Sequence, residues 1–226
     1  MNSIHLIDIV KNNAKQFTSK DAIFYKDDTS KKWIGISWIN FHQQIQNVSK
    51  ALINFGVNKH DNIGIFAQNM AEWIIADVAI MGIRAVTVPI YATNSKNETE
   101  YIINDAEISV LFVGDQEEFN KADEISKNNK FLKLIIALTP NVDLKNHSNA
   151  IYFTDFMNAE CPKSTEIELE KRHIEHELND LASIIYTSGT TGEPKGVMLD
   201  HNNFAASLKA HQEILNVDEN DVSLSF

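Results

Sequence analysis

The sequence predicts an α/β protein in which layered, mixed but mainly parallel sheets are flanked by helices. Four short apolar runs, rich in β-branched residues, alternate with segments of helical spacing. The runs are residues 63–67, 85–89, 110–113 and 134–138. Near-continuous apolar strands that are linked by helices are typical of a parallel sheet covered on both faces. We therefore expect such a sheet at the centre of the fold.

The N-terminal region is predicted to form a helix, a hairpin and a second helix. Apolar residues in the range 3–17 recur on one helical face. Two apolar runs, residues 22–25 and 33–36, flank a polar turn and indicate the hairpin. Ser37 is suited to cap the second helix, and Gly56 is suited to end it.

The rest of the chain continues the alternation. An almost wholly apolar helix is predicted at residues 70–83, and we expect it to be buried. Residues 141–164 carry little pattern and are interpreted as a surface connection. Residues 202–215 have helical spacing, and residues 222–226 are typical of a strand. Because a domain seldom ends inside a strand, we expect residues 1–226 to be the N-terminal part of one larger domain.

Residues 186–196 form the most informative segment, a polar, glycine-rich loop between two predicted strands. Glycine permits positive φ and the close approach of a ligand, and successive backbone N–H groups can bind an anion. Four Ser and Thr hydroxyls add donors, and Lys195 adds a positive charge. The loop is not a Walker A loop, since Gly189 is followed five positions later by Pro194. A simple connection between strands is the alternative, but the composition favours a polyphosphate site.

The order of residues in this loop resembles the signature of the adenylate-forming enzymes, which include acyl-CoA synthetases, luciferases and the adenylation domains of peptide synthetases. Their pattern, Tyr-Thr-Ser-Gly-(Ser/Thr)-Thr-Gly-x-Pro-Lys-Gly, is met at every fixed position. Residues 71–73 and 82–93 are similar to the long-chain fatty acid–CoA ligase branch, whose bacterial members carry a similar Val-Pro-Ile-Tyr-x-Thr segment. The resemblance extends over the chain from about Ile4 onward.

The resemblance implies a ligase of fatty acid metabolism that uses ATP and Mg²⁺ to convert a fatty acid to an acyl-adenylate and then transfers the acyl group to coenzyme A. It implies that seven residues hold the β- and γ-phosphates of ATP. These are Thr187, Ser188, Gly189, Thr190, Thr191, Gly192 and Lys195. The family's adenine, acyl and metal residues, and the lysine of its small C-terminal domain, lie later in relatives. We therefore predict no catalytic residue here, and expect the chain alone not to catalyse adenylation.

Two other functions stay open at this point. The first is an adenylating enzyme for a different carboxylic acid, and the second is a non-catalytic nucleotide-binding or interaction domain that has inherited the loop. Acids of graded chain length would separate the first alternative from a fatty acid ligase. A coding sequence that continues past Phe226 into a Tyr-Gly-x-Thr-Glu-like segment and a catalytic lysine would favour either enzyme over the second alternative.

Composition and net charge limit the binding partners and the cellular location that the sequence favours. The 226 residues carry a formal net charge of −11, which argues against a general nucleic-acid surface and against attraction to anionic lipid. The single cysteine, Cys161, allows no internal disulfide and favours a reducing compartment, so a cytoplasmic location is predicted. No apolar run approaches the length of a membrane span. Peripheral membrane contact and a homodimer are left open.

Five further residues are candidate site residues. His173 and His176 share one face of a charged helix at i, i+3 spacing, which suits a metal pair. Because no third ligand is evident, we predict a solvated helix and no metal site. Asp200 is predicted to cap a helix, and His201 to pack beside it. No arrangement of His and Asn residues around Cys161 suggests that its thiol is a nucleophile.

Overall fold

The computed structural model of the chain describes residues 5–27, 30–144, 147–187, 193–215 and 217–225. Its strands are β1 (Asp21–Lys26), β2 (Trp33–Ser37), β3 (Asn62–Phe66), β4 (Val86–Ile90), β5 (Val110–Val113), β6 (Leu134–Ala137), β7 (Ala150–Tyr152), β8 (Leu181–Thr187) and β9 (Lys195–Asp200). Its helices are α1 (Leu6–Phe17), α2 (Trp38–Phe55), α3 (Ala71–Gly82), α4 (Lys96–Asp105), α5 (Gln116–Ser126), α6 (Phe153–Met157), α7 (Lys163–Glu175) and α8 (His201–Ile214).

Seven strands form the central sheet, in the order β7-β6-β5-β3-β4-β8-β9. All neighbours are parallel except β8 and β9, which form an antiparallel pair at one edge. The parallel strands need crossover connections, and helices α3, α4 and α5 supply them. The predicted α/β class with a mixed, mainly parallel sheet is confirmed.

The core lies on both faces of this sheet. Along β5, Val110 and Phe112 join one apolar cluster with α1, α2 and α3, whereas Leu111 and Val113 join a second cluster with α4 and α5. Side chains alternate between the faces of a strand, so a strand that is covered on both faces has to be apolar throughout. This is why the four apolar runs identified the strands β3 to β6.

The N-terminal region has the predicted helix, hairpin and second helix. Strands β1 and β2 pair in antiparallel fashion, apart from the central sheet. The Ser37 side chain accepts a hydrogen bond from the Asn40 amide at 3.4 Å and caps α2. Gly56 ends α2 with φ of 104°, in the left-handed region that glycine enters without a Cβ clash. Both predicted caps are confirmed.

Two predicted segments differ from the structure. Residues 141–164 contain β7 and α6, whose Phe153 and Phe156 are buried, rather than only a surface connection. Such short elements leave little periodicity to recognise. Residues 222–225 form neither helix nor strand, and Val222 and Leu224 are exposed. In the described part of the chain no strand pairs with them, and an apolar run forms a strand only when it finds a neighbour.

None of the helices among the described residues combines the length and the apolar composition that crossing a membrane requires.

Candidate functional site

The end of β8 and the start of β9 frame the predicted phosphate-binding loop. Thr187 and Lys195 are directly opposite each other in the antiparallel ladder, and both are exposed. Because opposite residues present their side chains on the same face, the hydroxyl and the ammonium group are brought to one place. The other predicted site residues lie outside the described residues: Ser188, Gly189, Thr190, Thr191 and Gly192.

The end of β8 and the start of β9, here called the frame, lie at the carboxyl edge of the parallel sheet. Strand β8 pairs in parallel with β4, through Thr87 and Ser183, so the two strands end at the same edge. The Ser183 hydroxyl donates to the Thr87 carbonyl at 3.0 Å and ties the strands together. Tyr91 follows β4 directly and is 66% exposed. Open α/β sheets bind their ligands at this edge, which agrees with the predicted role of the loop.

Tyr186, near the end of β8, joins the start of the loop to helix α4. This side chain is only 6% exposed, and its hydroxyl donates to Asp105 Oδ2 at 2.5 Å. The ring of Tyr101, one turn earlier on α4, meets the Tyr186 ring edge to face at a centroid distance of 6.4 Å. Burial, and then the hydrogen bond and charge of Asp105, raise the pKa of the Tyr186 phenol. Tyr186 is therefore a neutral hydrogen-bond donor.

Gly196 lies across the ladder from Tyr186. A Cβ atom at this position would lie 2.6 Å from Ile184 Cγ2 and 3.3 Å from Tyr186 Cζ, both on the facing strand. The glycine in the Pro-Lys-Gly exit of the loop therefore makes room for its neighbours in the ladder. Sequence reasoning had assigned it no role of its own.

Sequence reasoning also missed Asp105 and Tyr101. Their i, i+4 spacing on α4 was the only signal in the sequence, and it shows that they share a face without showing what that face contacts.

The histidines of α7 do not lie on a solvated face, so that prediction is wrong. His173 and His176 are half-buried, and the His5 ring stacks between His176 and His201 at centroid distances of 4.2 and 3.6 Å. His176 Nε2 is 3.2 Å from Asp8 Oδ2. His176, the residue after α7, lies beside His5 and Asp8 at the start of α1, contacts that the sequence of α7 does not reveal. Among the described residues no group of three or more His, Cys, Asp or Glu side chains is arranged to hold a metal ion.

The predicted start of α8 is confirmed. The Asp200 side chain accepts a hydrogen bond from the Asn203 amide at 2.9 Å, and the Asn203 side chain accepts from the Asp200 amide at 2.9 Å. His201 is 2% exposed and packs against His5. Because α8 follows β9 directly, these contacts fix the far end of the strand that carries Lys195.

Comparison with known proteins agrees with this geometry. The family described as AMP-binding enzyme matches residues 10–226. The chain is 32% identical to fatty acyl-CoA synthetase A of Dictyostelium discoideum, over 95% of this chain and 34% of that protein. It is 32% identical to a long-chain-fatty-acid–CoA ligase of Homo sapiens, over 85% of this chain and 28% of that protein.

A solved structure has the same fold. The anthranilate CoA ligase in complex with anthranoyl-AMP superposes with a TM-score of 0.74 at 23% identity, over 92% of this chain and 36% of that one. The chain thus spans about a third of the length of the curated relatives it matches. On the family match, which covers nearly the whole chain, the protein belongs to the AMP-binding enzyme family.

Proposed function

We propose that this chain supplies the polyphosphate-binding part of an ATP-dependent ligase that joins a long-chain fatty acid to coenzyme A. One observation carries the proposal: the complete phosphate-binding signature begins and ends on two paired strands, at the edge of the sheet where α/β proteins bind ligands. The names of the curated relatives favour a long-chain fatty acid as the acid.

The proposed role of the loop is to hold the β- and γ-phosphates of ATP. Thr187 and Lys195 would donate from the ends of β8 and β9, together with the predicted residues of the intervening segment, Ser188, Gly189, Thr190, Thr191 and Gly192. Donors fixed in advance stabilise the negative charge that develops on pyrophosphate as it leaves. Lys195 would contribute a compact positive charge, which a protein with a net charge of −11 has to supply locally.

The proposed reaction has two steps and belongs to the whole protein. A carboxylate oxygen of the acid attacks the α-phosphorus, the bond to pyrophosphate breaks, and an acyl-adenylate forms. The thiol of coenzyme A then attacks the acyl carbonyl, AMP leaves, and the thiol proton is released. The loop would act in the first step, by binding ATP and stabilising its leaving group.

Mg²⁺ belongs to this proposal as the ion that accompanies ATP. The described residues offer no cluster of three or more His, Cys, Asp or Glu side chains for a metal ion. The Lys195 ammonium group suits phosphate oxygens and cannot ligate a cation, whereas the Thr187 hydroxyl can donate to phosphate and could also ligate Mg²⁺. A cytoplasmic location stays a prediction, and a homodimer and peripheral membrane contact stay open.

The phosphate-binding role can be tested on the chain itself. ATP and inorganic pyrophosphate are titrated into the purified protein by calorimetry, with Lys195→Ala as the test variant and the exposed α8 residue Lys209→Ala as its charge-matched control. We expect Lys195→Ala to weaken binding about tenfold or more, as for the loss of one charge-assisted contact. Equal affinity in the two variants would remove Lys195 from the site.

The acid is identified with the whole protein, by acid-dependent exchange of pyrophosphate into ATP. Saturated fatty acids of increasing length are compared with anthranilate, the acid in the name of the structural neighbour. Preference for long chains supports the proposal, and preference for an aromatic or short acid replaces it with another acid–CoA ligase. ATP binding without exchange for any acid would favour the non-catalytic alternative.

A further inference from the structure

Helix α4 supports the entry to the phosphate-binding loop. At the entry, Asp105 accepts the hydrogen bond of Tyr186, the residue before Thr187. The Tyr101 ring, on the same helix, lies edge to face against the Tyr186 ring at a centroid distance of 6.4 Å. The face of α4 that carries Tyr101 and Asp105 therefore packs against the chain segment that enters the loop.

Tyr186 is also held from the opposite side. Gly196 is its partner across the ladder, and the absence of a Cβ there lets the Tyr186 ring lie against the facing strand. Thr187 and Lys195 form the next pair along the same ladder. The position of Tyr186 therefore determines where this pair, the described part of the candidate site, is presented.

The charge of Asp105 gives the contact a distinctive consequence. A carboxylate near a polyphosphate repels it, so on charge alone the removal of Asp105 would strengthen binding. A buried tyrosine hydroxyl that loses its acceptor pays a desolvation penalty and shifts to find another partner. For Asp105→Ala, the loss of charge alone predicts tighter binding of a polyphosphate, whereas the loss of the hydrogen bond to Tyr186 predicts weaker binding.

We propose that Asp105 is a positioning residue of the site: it holds Tyr186 through the hydroxyl and thereby keeps Thr187 and Lys195 opposite each other for a polyphosphate. The inference rests on the proposed function, because it assigns the contact to the binding of phosphate and not to folding alone. Asp105 itself touches no substrate in this scheme.

The test titrates inorganic pyrophosphate into the purified chain. Asp105→Ala and Tyr186→Phe are each expected to weaken binding about fivefold, the loss associated with one hydrogen bond. Asp105→Asn keeps an oxygen acceptor but loses the charge, so it is expected to bind as tightly as the wild type or more tightly. Unchanged or tighter binding by Asp105→Ala overturns the proposal.

Glu100→Ala is the matched control. It removes one negative charge from the same helix, and in the described structure Glu100 forms no hydrogen bond with Tyr186. Its affinity for pyrophosphate should equal or slightly exceed the wild-type value, because only a negative charge is lost. If Glu100→Ala weakens binding as much as Asp105→Ala does, the effect belongs to α4 in general and the proposal fails.

A second readout separates this inference from the proposed function. Hydrogen exchange, followed by mass spectrometry, is measured over the ends of β8 and β9, residues 185–187 and 195–197. We expect faster exchange there in Asp105→Ala and Tyr186→Phe, and wild-type exchange in Asp105→Asn. If the wild-type chain binds neither ATP nor pyrophosphate, the proposed function fails for this chain, and the exchange data decide the positioning role. Unchanged exchange in Asp105→Ala overturns it.

Discussion

Arg84 and Asp180 form a bidentate ion pair that fastens the turn after α3 to the start of β8. Arg84 Nε lies 2.7 Å from Asp180 Oδ2, and Arg84 Nη2 lies 2.8 Å from Oδ1. The side chains are 12% and 7% exposed. Burial alone would raise the pKa of Asp180, but the hydrogen bonds from Arg84 and from the Glu177 amide, together with the charge of Arg84, outweigh it and hold that pKa below its usual range. The strand that carries Thr187 at one end is thus anchored at the other.

Replacing Arg84 with alanine is expected to lower the free energy of unfolding by about 3 kcal/mol, because it leaves the Asp180 carboxylate buried without its partner. Urea denaturation at neutral pH measures the change. Lys59→Ala is the control, since its ion-pair partner Glu175 is 40% exposed, and it should cost less than about 1 kcal/mol. Equal losses of unfolding free energy in the two variants would mean that the burial of the Arg84–Asp180 pair adds nothing to its contribution to stability.

A Cβ atom at position 196 is expected to disturb the ladder that carries the site. Gly196→Ala would place that atom 2.6 Å from Ile184 Cγ2, well inside van der Waals contact. We predict a loss of about 1–3 kcal/mol in unfolding free energy, the usual cost of overpacking. Met198→Ala, in the same strand but 66% exposed, should change stability by no more than about 0.5 kcal/mol. Thermal unfolding compares the two, and wild-type stability in Gly196→Ala would contradict the steric argument.

The sequence predicted the parts of the fold whose signals are local. Strands β3 to β6 are buried on both faces and are therefore apolar throughout, and Ser37 and Gly56 mark helix ends by their own chemistry. Strand β7 escaped prediction because three residues at the edge of a sheet carry little periodicity.

The site was predictable only in part, because only some of its features have local signals in the sequence. The order of residues in the loop points to phosphate without any knowledge of the fold. The hydrogen bond from Tyr186 to Asp105 joins residues 81 positions apart, and no local pattern specifies it. The burial of His173 and His176 was missed because their neighbours, such as Lys11 beside His173 and the His5 ring beside His176, are distant in the sequence. Long-range packing decides such contacts, and a single sequence gives no direct signal of it.

The buried histidines make stability depend on pH. Burial, together with the neighbouring histidines, lowers the pKa of His5 to about 3, and burial lowers the pKa of His173 and His201 to about 4. In the unfolded chain histidine titrates near about 6.5. Between these values the unfolded state binds protons that the folded state does not. Stability is therefore retained above about pH 6.5 and lost as the pH falls towards 4.

We predict a loss of about 2 kcal/mol of unfolding free energy for each such histidine between pH 7.5 and pH 5. Urea denaturation at both pH values measures it. His201→Gln should reduce the pH dependence by the share of one histidine, whereas His211→Gln, on the exposed part of α8, should leave it unchanged. The same pH dependence in the wild type and in His201→Gln would contradict the assignment.

Glu118 changes stability with pH in the opposite sense. Its side chain is 2% exposed, and Oε2 accepts a hydrogen bond from the Asp115 amide at 2.6 Å. Burial, with a contribution from the charge of Asp115, raises the pKa of the Glu118 carboxyl to about 7 from an ordinary value of 4.5. Between these values the folded state holds a proton that the unfolded state has lost. Stability is therefore lost as the pH rises from 4.5 to 7.

Glu118→Gln removes this penalty, because a neutral amide oxygen can still accept the Asp115 hydrogen bond. We expect the variant to be more stable than the wild type by about 2 kcal/mol at pH 8 and equally stable at pH 5. Glu117→Gln, whose side chain is 78% exposed in the same helical turn, should change stability by less than about 0.5 kcal/mol at either pH. Chemical denaturation at the two pH values tests the pair, and a Glu118→Gln difference that is the same at both would show that the carboxyl is ionised throughout.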